Sequence, residues 1–217
     1  MQKPIRVWFE KTGPAIYISH LDLNRCMARA IRRAKLPIWY TEGFHPHPYL
    51  TFPLPLSLGV HGLREAMDLR LVEEVSFDQV KERLNRCLPQ GLVVTDVGEP
   101  VKKAKEISFA AYELTMESKE GDAAALVRQA LDRDSLPVEK KTKSGVKEVD
   151  IRPHLQAVSV EGQGTRCVMK VTLPCGPSLS INPSLLSKAV TAAAGAPVEL
   201  VKTVRLCFTD GQGKLFE

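Results

Sequence analysis

The sequence has no CxxC pair, and its five cysteines (Cys26, Cys87, Cys167, Cys175 and Cys207) are odd in number. Those absences exclude a disulfide framework, a zinc knuckle and a cysteine-held iron-sulfur cluster. Cys26, Cys87 and Cys167 fall at apolar-face positions of predicted elements and read as small core hydrophobes. Cys175, in the turn-like LPCGPS, is the one thiol placed for reactivity. No apolar run approaches the roughly 20 residues that span a bilayer, and the opening MQKPIRVWFEK alternates in polarity where a signal peptide has an apolar block. A cytoplasmic protein is the expectation.

Acid is scarce in one place only. Residues 1 to 37 hold eight cations (Lys3, Arg6, Lys11, Arg25, Arg29, Arg32, Arg33 and Lys35) against Glu10 and Asp22, a balance of +6. The rest of the chain holds 22 cations and 23 anions, so the net +5 of the whole is concentrated in its first sixth. That is the distribution of an anion-facing surface and not of a uniformly basic protein. The remaining composition, 44% hydrophobic and 25% charged over 217 residues, is that of an ordinary globular protein with a sizeable core.

Periodicity divides the chain in two. Ile5, Val7 and Phe9 alternate as a strand, and Ser19 caps an amphipathic helix that Pro37 stops. An extended segment from Ile38, a strand over Met67 to Leu71, a helix capped by Ser76 and a strand over Leu92 to Val97 complete the order βαββαβ. The second half repeats this order loosely. A strand over 108 to 116, a helix opened by Asp122, an alternating Cys167 to Leu173, a helix bounded by Asn182, Pro183 and Gly195, and a strand over Val198 to Phe208 follow one another. The expected class is α+β, as tandem ferredoxin-like domains over residues 1–100 and 105–217 joined near EPVKKAKE. The segment EKKTKSGVKEVDIRPHL reads either as a solvated hairpin turning at Gly145 or as a lysine-rich flap over a ligand.

On the first helix, at about 100° per residue, Arg25, Arg29, Arg32 and Arg33 fall within an arc of roughly 100°. Leu23, Met27, Ala30 and Ala34 gather on the opposite side, so the arginine stripe faces away from the sheet. Arginine suits bidentate phosphate contact, and a solvated helix face is the plainer alternative, with Asp22 pairing Arg25.

The stretch GFHPHPYLTFPLPLSLGV follows, from Gly43 to Val60. Pro46 and Pro48 bias His45 and His47 toward extended geometry, which puts both imidazoles on one side. A tight metal site needs three or four ligands, and His20, His61, Glu65 and Asp68 are not at motif spacing, so no metal is expected. Phe44, Tyr49 and Phe52 interleave with the histidines, an arrangement suited to stacking on an unpaired base or to packing in the core.

The segments SHLDLNRCMARAIRRAKLP, YTEGFHPHPYLTFPLPLSLGV, EAMDLRL and VDIRP resemble the radical-SAM-associated family, a bacterial domain fused to or encoded beside a cobalamin-binding radical SAM protein. The matching positions are Ser19, His20, Asp22, Arg25, Arg29 and Arg32; Gly43, Phe44, Pro46, His47 and Pro48; Gly59, Glu65 and Asp68; and Arg152 with Pro153. Family loops often carry asparagine where this chain has His45, which makes His47 the stronger functional candidate. The resemblance implies no cofactor in this chain and a partner that carries S-adenosylmethionine, an iron-sulfur cluster and cobalamin. Neighbouring genes for a ribonuclease and ribosomal proteins associate the family with RNA.

The leading expectation is an accessory, non-catalytic module that presents a tRNA or rRNA to the radical SAM partner. Arg25, Arg29, Arg32 and Arg33 would hold phosphates, and the loop Gly43, Phe44, His45, Pro46, His47, Pro48 and Tyr49, with Arg152, would meet a nucleotide or the partner. A stand-alone RNA-cleaving or RNA-modifying enzyme would instead draw acid-base groups from His20, His47, Asp22 and Asp68. An adaptor would dock the partner protein through the extended PLPLSLGV segment.

Overall fold

The computed structural model describes residues 2–142, 145–176 and 179–217. Lys143, Ser144, Pro177 and Ser178, parts of the expected hairpin turn and of LPCGPS, lie outside the described residues. The chain forms two compact units, Met1–Ile107 with Leu215–Glu217, and Ser108–Lys214. Strands and four α-helices make up both, so the architecture is mixed α and β among the described residues. No helix among them is long and apolar enough to cross a membrane.

In the first unit the order is β1 (Lys3–Lys11), α1 (His20–Arg33), β2 (Leu50–Thr51), β3 (His61–Leu71), α2 (Phe77–Asn85) and β4 (Leu92–Gly98). The strands lie antiparallel as β4-β1-β3-β2. Ile5, Val7 and Phe9 send their side chains into a core with Met67, Leu69 and Leu71 of β3, Leu23, Met27 and Ile31 of α1, and Val80 and Leu84 of α2. At roughly 1.5 to 3 kcal/mol for each fully buried aliphatic or aromatic side chain, this one-sided burial fixes both helices against the sheet. The extended segment expected from Ile38 forms no strand of its own among the described residues: isolated bridges join Ile38 to Leu71 and Tyr40 to Pro48, and Ile38 packs into the core.

The second unit runs β5 (Phe109–Glu117), α3 (Ala123–Leu131), β6 (Pro137–Thr142), β7 (Gly145–Asp150), β8 (Gln156–Gln163), β9 (Arg166–Pro174), α4 (Pro183–Ala194) and β10 (Glu199–Thr209). Its main sheet is antiparallel in the order β10-β5-β9-β8, the connectivity of the first unit with the β6-β7 hairpin inserted after α3. Strand β8 was not expected. Nearly all of its residues are exposed, so it shows no apolar alternation, and its pairing with β9 alone makes it a strand.

The opposite face of β1 carries a buried cation. Arg6 is 1% exposed, and its Nε and Nη2 donate to the two carboxylate oxygens of Asp68 at 2.6 and 2.8 Å. Two further N–H groups reach the backbone oxygens of Glu217 (2.9 Å) and Lys102 (3.0 Å). The guanidinium also lies 4.3 Å from the Phe216 ring centroid and 5.7 Å from that of Trp8. Lys11 is buried too, its Nζ donating to the Ile16 carbonyl at 3.1 Å.

Removing one partner of a buried pair strands the other charge and costs about 3–5 kcal/mol, and Asp68 is partly solvated, so Arg6→Leu is expected near the lower limit. Chemical denaturation should show a loss of about 3 kcal/mol. Hydrogen exchange should show early loss of protection at Lys102, whose N–H donates to Glu217.

Candidate nucleic-acid interface

Helix α1 begins where the sequence places it. The Ser19 hydroxyl oxygen accepts from the Asp22 N–H at 3.1 Å and donates to the Asp22 carboxylate at 2.7 Å. Its buried residues, Leu23, Met27, Ala30 and Ile31, turn the sheet-facing stripe inward, which leaves Arg25, Arg29, Arg32 and Arg33 exposed.

The four guanidiniums differ in how they are held. Arg25 pairs with Asp22 at 3.1 Å, and Arg33 donates to the Cys87 carbonyl at 2.5 Å. Arg32 lies over the Tyr40 ring at 5.9 Å. Arg29 makes no hydrogen bond or ion pair among the described residues. Arg25, Arg29 and Arg33 line one cleft of about 360 Å³ with Asp22, Cys26 and Pro89. A single carboxylate thus faces three guanidiniums. Burial pushes the Cys26 thiol up, while Arg33 and Arg29 pull it back down.

The charge count of the first 37 residues needs one correction. Arg6 and Lys11 are buried on the sheet, so they add nothing to an external surface. Most of the outward excess comes from α1.

The loop after α1 closes on itself. Tyr40 bridges to Pro48, and the Thr41 N–H donates to the His47 carbonyl at 2.9 Å. His47 Nδ1 lies 3.1 Å from the His45 carbonyl and 3.0 Å from the Thr41 hydroxyl. A carbonyl only accepts, so the contact with His45 is a hydrogen bond in the tautomer that carries its proton on Nδ1, the one in which Nε2 keeps the lone pair. Gly43 sits at φ 117°, a left-handed geometry that favours glycine. Beside it the Phe44 side chain is fully exposed.

Other expected site residues are used elsewhere. Tyr49 lies against Trp39 at 5.1 Å, and Arg70 lies over both rings, which leaves it half-buried. Phe52 packs between Phe9 and His20. Asp68 is engaged by Arg6, and Asp22 by Ser19 and Arg25. Arg152 belongs to the second unit. Among the described residues no three His, Cys, Asp or Glu side chains are grouped to hold a metal. Sequence reasoning missed Tyr40 and Thr41; their only signal was position, one following α1 and the other six residues before His47.

A family model described as "Uncharacterized protein conserved in bacteria (DUF2344)" matches residues 4–183. The chain belongs to the DUF2344 family. No curated protein matches this member of it. Among solved structures, a chain of a Cbf5-Nop10-Gar1 complex is similar at TM-score 0.52 and 11% identity, over 97% of this chain and 50% of that one. The family member thus spans half the length of that chain, and at such identity the likeness is one of fold alone. A protein of Galdieria sulphuraria, described as unknown, is similar at TM-score 0.28 and 11% identity over 92% of this chain and 98% of that one, too slight to bear on the fold.

Two shifted groups, Asp22 at the start of α1 and Cys175 in the second unit, can be tested directly. The Ser19 hydroxyl, and then Arg25, hold the Asp22 carboxyl below its ordinary value, so its contribution to stability is present above the unfolded pKa and fades as pH falls through the lower folded one. Carboxyl-detected NMR should show that value rise toward an ordinary aspartate's in Ser19→Ala. Burial pushes the Cys175 thiol up to about 11, against a smaller opposing pull from Arg205. Iodoacetamide at pH 8 should therefore leave Cys175 unmodified, because the thiol stays protonated.

Proposed function

We propose that this chain is an RNA-binding accessory module, built from two ferredoxin-like units, that holds a tRNA or rRNA for modification by a radical SAM partner. The partner supplies the S-adenosylmethionine, iron-sulfur and cobalamin chemistry. This chain supplies the grip. One observation carries the reading: α1 presents four exposed arginines, three of them around one cleft, against a single ion-paired aspartate. A solvated helix face gains stability from alternating charge, whereas like charges at i,i+4 lose it. An arginine row with so little acid is therefore retained for an external anion. Phe44 and the lone-pair Nε2 of His47 stand on the loop that follows Tyr40, available to stack on a base and to accept from its edge.

A stand-alone enzyme is the second reading, favoured only by that open Nε2. Its expected carboxylates are already spoken for, Asp68 by Arg6 and Asp22 by Ser19 and Arg25. Metal-free RNA cleavage by the chain alone, lost in His47→Ala, would establish it.

Binding of labelled tRNA and ribosomal RNA fragments across a salt series is the test. Four phosphate contacts predict a log-log slope of about −3, since each contributes about 0.7 to 0.9. Arg29→Glu, which breaks no bond of the folded chain, should weaken binding and reduce the slope by one or more. Weak binding with a flat slope in both proteins would refute the proposal, and a ribonuclease-resistant complex with the partner would then favour an adaptor.

A further inference from the structure

The motif VDIRP, Val149 to Pro153, has no place in an interface on α1. It ends β7 and leads into a single 3-10 turn over Arg152–His154. Asp150 Oδ1 accepts from the N–H groups of Leu136 at 2.8 Å and Arg152 at 3.0 Å. Ile151 is buried, and its N–H donates to the Leu136 carbonyl at 3.1 Å. The motif therefore fixes the backbone on the N-terminal side of Arg152, while Pro153 restricts it on the other.

What this positions is a guanidinium at a cleft. Arg152 Nε donates to the Arg133 carbonyl, just past the end of α3, at 3.2 Å. Arg128, in the last turn of the same helix, donates Nη2 to the Val160 carbonyl of β8 at 2.8 Å. Both line one cleft of about 300 Å³ that also includes Asp132 and Ser159. An arginine has five N–H donors, and each of these spends one on a backbone carbonyl. Among the described residues neither is ion-paired, although Asp132 lines the same cleft.

We propose that this cleft in the second unit binds a phosphate group. Two guanidiniums tethered by backbone carbonyls lose less side-chain freedom on meeting an anion than two free ones. Their planar forks match phosphate oxygens, and the Ser159 hydroxyl is a further donor within the lining. The volume lies at the lower end of small-ligand clefts, enough for a phosphate with its attached sugar. The inference is independent of α1.

The test is an amide-detected NMR titration of the full chain with uridine 5′-monophosphate and, separately, with the dinucleoside phosphodiester UpU. Saturable shifts are expected at Arg152, Ser159 and Val160, at least about tenfold weaker in Arg128→Gln, the loss of one charge-assisted hydrogen bond. Binding of the monophosphate alone identifies a terminal phosphate as the ligand; binding of both extends it to the diester. Shifts that are absent, fail to saturate or persist unchanged in Arg128→Gln overturn the proposal. So does their loss in Arg29→Glu, which would trace them to α1. Arg152→Lys keeps the charge but not the fork. If it lowers the thermal midpoint and leaves phosphate binding untouched, Arg152 only caps α3 and the site does not exist.

Discussion

The first unit is organised around the buried guanidinium of Arg6. Moving such a cation out of water costs several kcal/mol unless its donors are met and its charge is balanced. Here both conditions hold, through the two oxygens of Asp68, the carbonyls of Lys102 and Glu217, and the faces of Phe216 and Trp8. Arg6 and Asp68 are direct partners across β1 and β3, so the pair also marks the register that sends Ile5, Val7, Met67 and Leu69 to the other face. A slip by one residue would separate the charges and expose the core at once.

With that core set, α1 can carry a row of like charges that an isolated helix would resist. Arg25 and Arg29, and again Arg29 and Arg33, stand at i,i+4, each pair costing a few tenths of a kcal/mol. The deep side of the helix offsets this through Leu23, Met27 and Ile31. Arg32 and Arg33 also sit in the last turn, where the helix dipole favours cations. Stability thus comes from one face of α1, and the other is left exposed to solvent.

Much of this surface was legible because it is local. The Ser19 cap, the apolar period and Pro37 bound α1, and its arginine stripe follows from the same spacing. What was illegible is long-range. Arg6 looked like one more surface cation, since its partners lie 62, 96 and 211 residues away. Tyr49 read as a base-stacking ring beside the histidines, but Arg70, 21 residues on, covers it together with Trp39. β8 lacks alternation because its side chains are almost all in solvent, so no periodic signal exists to find.

The return of Leu215–Glu217 to the first unit makes the second unit an insertion within it. During synthesis β1 emerges early, yet the oxygen of Glu217 and the ring of Phe216 that complete the Arg6 site are made only after the second unit. The Arg6 site therefore stays incomplete until the whole of the second unit has been made, although the apolar core of the first unit draws only on residues 5–97. A nascent chain would expose an arginine-rich helix on an unfinished scaffold throughout that interval, beside the most abundant polyanion in the cell.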